Sequence, residues 1–101
     1  MSEFATSVER LLTQVRHWEE RRWAASAGAG SKGDLAHRLV QRLADLGAEA
    51  EGRSARAVPR LPDLVLPDQL RVVADDIVTA GPSADLLTRA TTAVDETRQL
   101  L

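Results

Sequence analysis

The chain has 101 residues, 44 % hydrophobic and 28 % charged, a size and balance that suit one compact domain and leave little room for two. Thirteen basic residues against fifteen acidic ones give a formal charge of -2, which removes the global case for a nucleic-acid coat or a polybasic membrane binder. Cysteine is absent, which excludes a disulfide framework, a thiolate nucleophile and a cysteine metal site.

Sixteen Ala and fourteen Leu against only three aromatic residues make a helical vocabulary. Twelve of the thirteen basic residues are Arg, a skew that reads more like GC-rich coding than adaptation to a ligand. Charges interrupt every apolar run short of the roughly 18 residues a membrane-spanning helix needs. Met1-Ser2-Glu3-Phe4 does not open a basic, then apolar, secretory signal, so the expected compartment is the cytoplasm.

Helical periodicity predicts a first helix over about 3–25, with Phe4, Val8, Leu11, Val15 and Trp18 on one face and Leu12 widening it. Two starts compete: Ser2 can cap directly, and Thr6-Ser7-Val8-Glu9 fits a capping box. Ser26 to Gly33 is small, glycine-rich and without periodicity, and reads as a mobile connection. A second helix is predicted over 34–51, capped by Ser31 or Asp34, with Ala36, Leu39, Leu43, Leu46 and Ala50 as its stripe. Gly47 inside that stripe weakens its last turn.

Between Gly52 and Pro67, three prolines and the basic segment Arg53 to Arg60 indicate an extended connector, long for a helix–helix loop. Its apolar residues Leu61, Leu64, Val65 and Leu66 predict that it lies across the helices and covers part of the core. Pro67 and Asp68 open a third helix over 67–80, which Gly81-Pro82 closes. Ser83 caps a fourth over 84–100, through Leu86, Leu87, Ala90 and Val94. The short links between helices one and two and between three and four favour neighbours that pack. The expected fold is therefore all-α: a four-helix bundle of two antiparallel helical hairpins with a Pro-rich central connector, in a single domain over 1–101.

Few residues carry chemistry. Gly28-Ala29-Gly30-Ser31-Lys32-Gly33 has the wrong order for a P-loop, which needs Gly-Lys followed by Ser or Thr after a strand. His17 and His37 have no second ligand one turn away, so no metal site is expected. Glu19-Glu20 and Asp75-Asp76 are adjacent pairs that point about 100° apart on a helix and form no acid–base dyad. No serine sits in a nucleophile-elbow context. No catalytic site, cofactor or enzyme activity is expected.

The densest feature is His17-Trp18-Glu19-Glu20-Arg21-Arg22-Trp23. Trp18 falls on the apolar stripe and reads as core. Trp23 falls off it, beside Arg21 and Arg22, and is either covered by the Leu61 to Leu66 segment or exposed as an interface anchor. The apolar stripes are also broader than a minimal seam, with Leu35, Val40, Val72, Val78, Leu86 and Leu100 flanking them, which serves either burial against two neighbours in a small bundle or a dimer interface. The expected function is a non-enzymatic helical protein acting through protein–protein contact, as a homodimer or adaptor, with Trp23, Arg22 and Arg21 as its candidate interaction residues. The alternative is a nucleic-acid or anion-binding module using Arg53, Arg56 and Arg60, joined by Arg21, Arg22 and Lys32 if the loops share one end.

Overall fold

A computed structural model describes residues 2–101, and the chain is mostly helical. The order is α1 (Glu3–Val15), α2 (Glu20–Ala24), β1 (Ser26–Ala27), β2 (Gly30–Ser31), α3 (Lys32–Glu51), a 3-10 turn (Asp63–Val65), α4 (Leu66–Thr79) and α5 (Ala84–Leu100). Local chemistry accounts for most boundaries. Ser2, the first of the two predicted starts, caps α1 by accepting the Ala5 N–H at 3.1 Å. Ser31 and Asp34 form a reciprocal capping box at α3, each hydroxyl or carboxylate accepting the other residue's N–H at 3.0 Å. Gly52 ends α3 with φ 70°, a left-handed conformation that a residue without Cβ adopts readily. Pro67 stands in the first turn of α4, and the Ser83 hydroxyl caps α5 through Leu86.

Two expectations at the first end need correction. The continuous helix predicted over 3–25 stops at Val15, a turn carries Arg16 to Glu19, and α2 is a separate five-residue helix. Trp18 and Trp23 decide this. On one continuous helix five residues place side chains about 140° apart. With the break, the two indoles meet edge to face, ring centroids 4.8 Å apart at 62°, and Trp23 enters the core. The mobile connection expected over Ser26 to Gly33 is instead a small antiparallel hairpin, Ser26 opposite Ser31 and Ala27 opposite Gly30. Gly28, at φ 71°, takes the first turn position that only a residue without Cβ fills at no strain.

The apolar stripes of α1, α3, α4 and α5 join α2's Trp23 in one core, built from Phe4, Leu11, Val15, Val40, Leu43, Leu46, Leu66, Leu70, Ile77, Ala90 and Val94 among others. Which helices pair differs from the predicted hairpins. The extensive contacts are α3 with α4, α1 with α5, α3 with α5 and α1 with α4, while α1 with α3 and α4 with α5 touch at most marginally. Contacts at both ends give the directions. Gly33 abuts Asp63 and Gly47 abuts Ile77, so α3 and α4 run parallel. Glu3 lies beside Leu87 and Arg10 beside Asp95, so α1 and α5 run parallel as well. Lys32 meets Leu101 and Glu49 meets Arg89, so α3 and α5 are antiparallel.

A parallel α3 and α4 explain the long connector. The chain must return the length of a 20-residue helix, about 30 Å at about 1.5 Å per residue, before α4 can start. Residues 52–62 cover that span only when nearly extended, at roughly 3.3 Å each. The prolines supply that conformation. Gln41 holds the strap at its middle, its Nε2 donating to the Arg56 carbonyl at 2.9 Å and its Oε1 accepting from the Val58 N–H at 2.7 Å. Gln69 Nε2 donates to the Pro59 carbonyl at 3.3 Å. Val58 and Leu66 reach the core, but Leu61 and Leu64 remain exposed, so the strap covers less apolar surface than its composition predicts.

Candidate functional site

The break after Val15 creates the most chemically distinctive surface of the molecule. Trp23 is 1 % exposed and sits among core residues, where α2 packs on α3 and on the 3-10 turn of the connector. The reading that leaves Trp23 exposed as an anchor is corrected: the connector side covers it. Trp18, read as core, packs against the core and also lines a surface concavity. It is half-buried, edge-packed on Trp23 below, and overlain by two cations, Arg22 Cζ at 4.7 Å and Lys32 Nζ at 5.1 Å from its ring centroid. Lys32 is held in place because its Nζ donates to the Leu101 carbonyl at 2.7 Å.

Around Trp18 a shallow concavity of about 430 Å³ is lined by His17, Glu19, Arg21, Arg22 and Ala25. His17, Arg21 and Arg22 are exposed, and neither arginine has an ion-pair partner among the described residues. Four other arginines are engaged in ion pairs. Arg71 pairs with Glu9 between α4 and α1, and Arg89 joins α5 to α3 through Glu49. These guanidiniums, by hydrogen bonding, hold the Glu9 and Glu49 carboxyls below the usual glutamate range. Asp34 is lowered as well, first by the Ser31 N–H of the capping box and then by Arg60.

The three connector arginines do not form the predicted patch. Arg53 pairs with Glu51 at 2.8 Å, and Arg60 binds both Asp34 at 3.2 Å and Asp63 at 2.9 Å. Arg56 is exposed, with its carbonyl engaged by Gln41. The loops also do not share one end. Arg53 follows the last turn of α3 and Lys32 opens its first, so the two lie about 30 Å apart along the helix. Arg21, Arg22 and Lys32 gather around Trp18, and Arg60 reaches the same end of α3 but is held there by Asp34 and Asp63.

Other candidate chemistry is dispersed. His37 is on α3 with a buried Nδ1 that has no partner, His17 is in the exposed turn, and no three His, Cys, Asp or Glu among the described residues form a metal-binding group. The glycine-rich segment leads into a helix start already occupied by its own acids: Asp34 in the capping box and Asp63 against Gly33. A cleft of about 310 Å³ between α1 and α5 is lined by Glu3, Thr6, Ser7, Arg10, Thr91 and Asp95. Thr6 and Thr91 donate their hydroxyls to their own helices, and no histidine or lysine lines the cleft to activate Ser7.

Compared with protein-family models, curated proteins and solved structures, the chain matches none.

Proposed function

We propose that the protein is a non-enzymatic helical module that acts through protein–protein contact, and that the contact surface is the end built by the Arg16 to Glu19 turn and α2. We further read its four long helices as a bundle in which α1, α5, α3 and α4 follow one another around a common core. One observation carries the functional reading: a half-buried tryptophan overlain by two cations, at a concavity whose arginines have no ion-pair partner among the described residues. Trp and Arg are the side chains most often found as the energetic centre of protein interfaces. A ring already packed on Trp23 and overlain by Arg22 and Lys32 loses little conformational freedom on binding.

Between the two forms of contact, capture of another protein is favoured over a homodimer. Half of the flanking positions that suggested a paired core are used within one chain, with Val40 and Leu86 buried and Leu35 half-buried, while Leu100 stands exposed at the end of α5. Val72 and Val78 stay exposed on α4, but they lie about 120° apart around the helix, and Asp75 falls between them. Asp68 and Asp76 flank Val72 on the same face, so two copies pairing there would oppose like charges.

Site-specific photo-crosslinking in cells tests the reading. A crosslinker at Ala25, on the concavity wall, is expected to give a discrete adduct with another protein that a crosslinker at Thr79 on α4 does not. Equal labelling from both positions, or none from Ala25, would refute the assigned surface.

A further inference from the structure

We infer that the Trp18 concavity receives an anionic segment of its partner, an Asp- or Glu-rich peptide stretch with an apolar residue to set against the indole. The inference rests on the contact reading above and names the chemistry of what is bound. Three cations converge on one indole: Arg22 and Lys32 over its ring, and Arg21 on the rim. His17 adds a further donor. Against them the same wall carries Glu19, and Glu20 opens α2 next to it, so the balance at the concavity is positive in a chain that is negative overall. The local sign is therefore opposite to that of the whole molecule and favours an acid there.

Four of the other arginines are committed to the fold. Arg53, Arg60, Arg71 and Arg89 each have a carboxylate of the chain as partner, and two of them tie helices together. Arg21 and Arg22 have none among the described residues, although Glu19 and Glu20 stand within reach in sequence, and of the several arginines without an ion pair they are the two that line the Trp18 concavity. Their guanidiniums keep their bidentate donor forks free for a carboxylate from outside. A stacked nucleobase is a poorer fit, because Arg22 and Lys32 already occupy positions over the indole ring where a base would lie. A carboxylate needs no open ring face: it meets the cations themselves, and the exposed edge of Trp18 meets the apolar residue beside it.

Fluorescence anisotropy with the full chain and three labelled peptides of equal length tests the inference: one with Glu and Asp around a central Leu, one with Gln in place of every acid, and one with Lys. An oligo-uridine RNA is the fourth probe. The acidic peptide is expected to bind at least about tenfold more tightly than the Gln peptide, and to lose about tenfold between low and moderate salt. The Arg21→Gln/Arg22→Gln protein, with unchanged circular dichroism and thermal midpoint, is expected to lose that preference; Lys32→Gln gives an independent second reduction. Equal binding of the acidic and Gln peptides, preference surviving in Arg21→Gln/Arg22→Gln, or tighter binding of the RNA would each overturn the inference. The two readings fail separately: an Ala25 adduct whose yield is unchanged by Arg21→Gln/Arg22→Gln keeps the contact surface and removes the anionic partner, whereas an absent adduct removes the surface itself.

Discussion

Replacing Trp23 with Ala distinguishes a core tryptophan from a surface one, and the structure sets the size of the effect. Trp23 is 1 % exposed in the continuous core and is among the largest fully buried side chains of the molecule. Deleting a buried Trp side chain costs about 3–5 kcal/mol, the lost transfer energy plus the cavity left behind. A domain of this size has roughly 5–15 kcal/mol of stability to lose. At about 4–8 °C per kcal/mol, the thermal midpoint should fall by tens of degrees. Trp18, half-buried over Trp23, should cost only about 1–2 kcal/mol on the same change. Urea titrations followed by far-ultraviolet circular dichroism measure both, with Trp23→Phe as the milder variant should Trp23→Ala fail to fold. A Trp23→Ala cost of about 1 kcal/mol or less, or a Trp18→Ala cost that matches it, would refute the division of roles between the two indoles.

Three further outcomes follow from the strap and the ion pairs. Gly33→Ala places a Cβ 2.6 to 2.7 Å from the Asp63 carboxylate. It should displace the 3-10 turn at a cost of about 1–3 kcal/mol, with faster trypsin cleavage after Arg56 as the readout; unchanged cleavage and stability would contradict it. Gln41→Ala leaves the Val58 N–H without its acceptor and should speed hydrogen exchange of that amide by an order of magnitude or more, corresponding to about 1–3 kcal/mol; wild-type exchange would contradict it. Because Glu9, Asp34 and Glu49 have lowered values in the folded chain, their contribution is present at neutral pH and is lost as pH falls below about 4, through their folded values. Urea midpoints should therefore drop on acidification, and Glu9→Gln/Glu49→Gln should flatten the decline; an identical pH profile in that variant would contradict it.

The helix ends were legible because their signals are local. Ser2, Ser31 and Ser83 cap, Gly52 and Gly81 terminate with positive φ, and Pro67 opens α4 within a residue of its predicted position. The break at Val15 has no such signal, no Gly and no Pro. It arises from tertiary packing, which gains more by burying Trp23 than by adding turns to α1. The β1–β2 hairpin is too short to show alternation, and Gly28 alone marked it. Periodicity located the core face of each helix but not the neighbour that face meets. The clue to the parallel α3 and α4 was the connector's length, which a tight hairpin does not require. Arg21 and Arg22 line the concavity, while the break in the helix buries Trp23 and leaves Trp18 half-buried against the core. The partners of Arg60 lie 26 residues away in Asp34 and three away in Asp63, so the long-range half of that anchor was invisible in the sequence.

The central claim is that one tryptophan belongs to the core and the other to the contact surface. Acrylamide quenching of the two single-tryptophan proteins measures this directly. In Trp18→Phe the remaining Trp23 should emit at short wavelength and resist quenching, and in Trp23→Phe the remaining Trp18 should emit further to the red and be quenched several-fold more strongly. Trp23 as readily quenched as Trp18, or the reverse order, would contradict the account and return the α2 end to the status of ordinary surface.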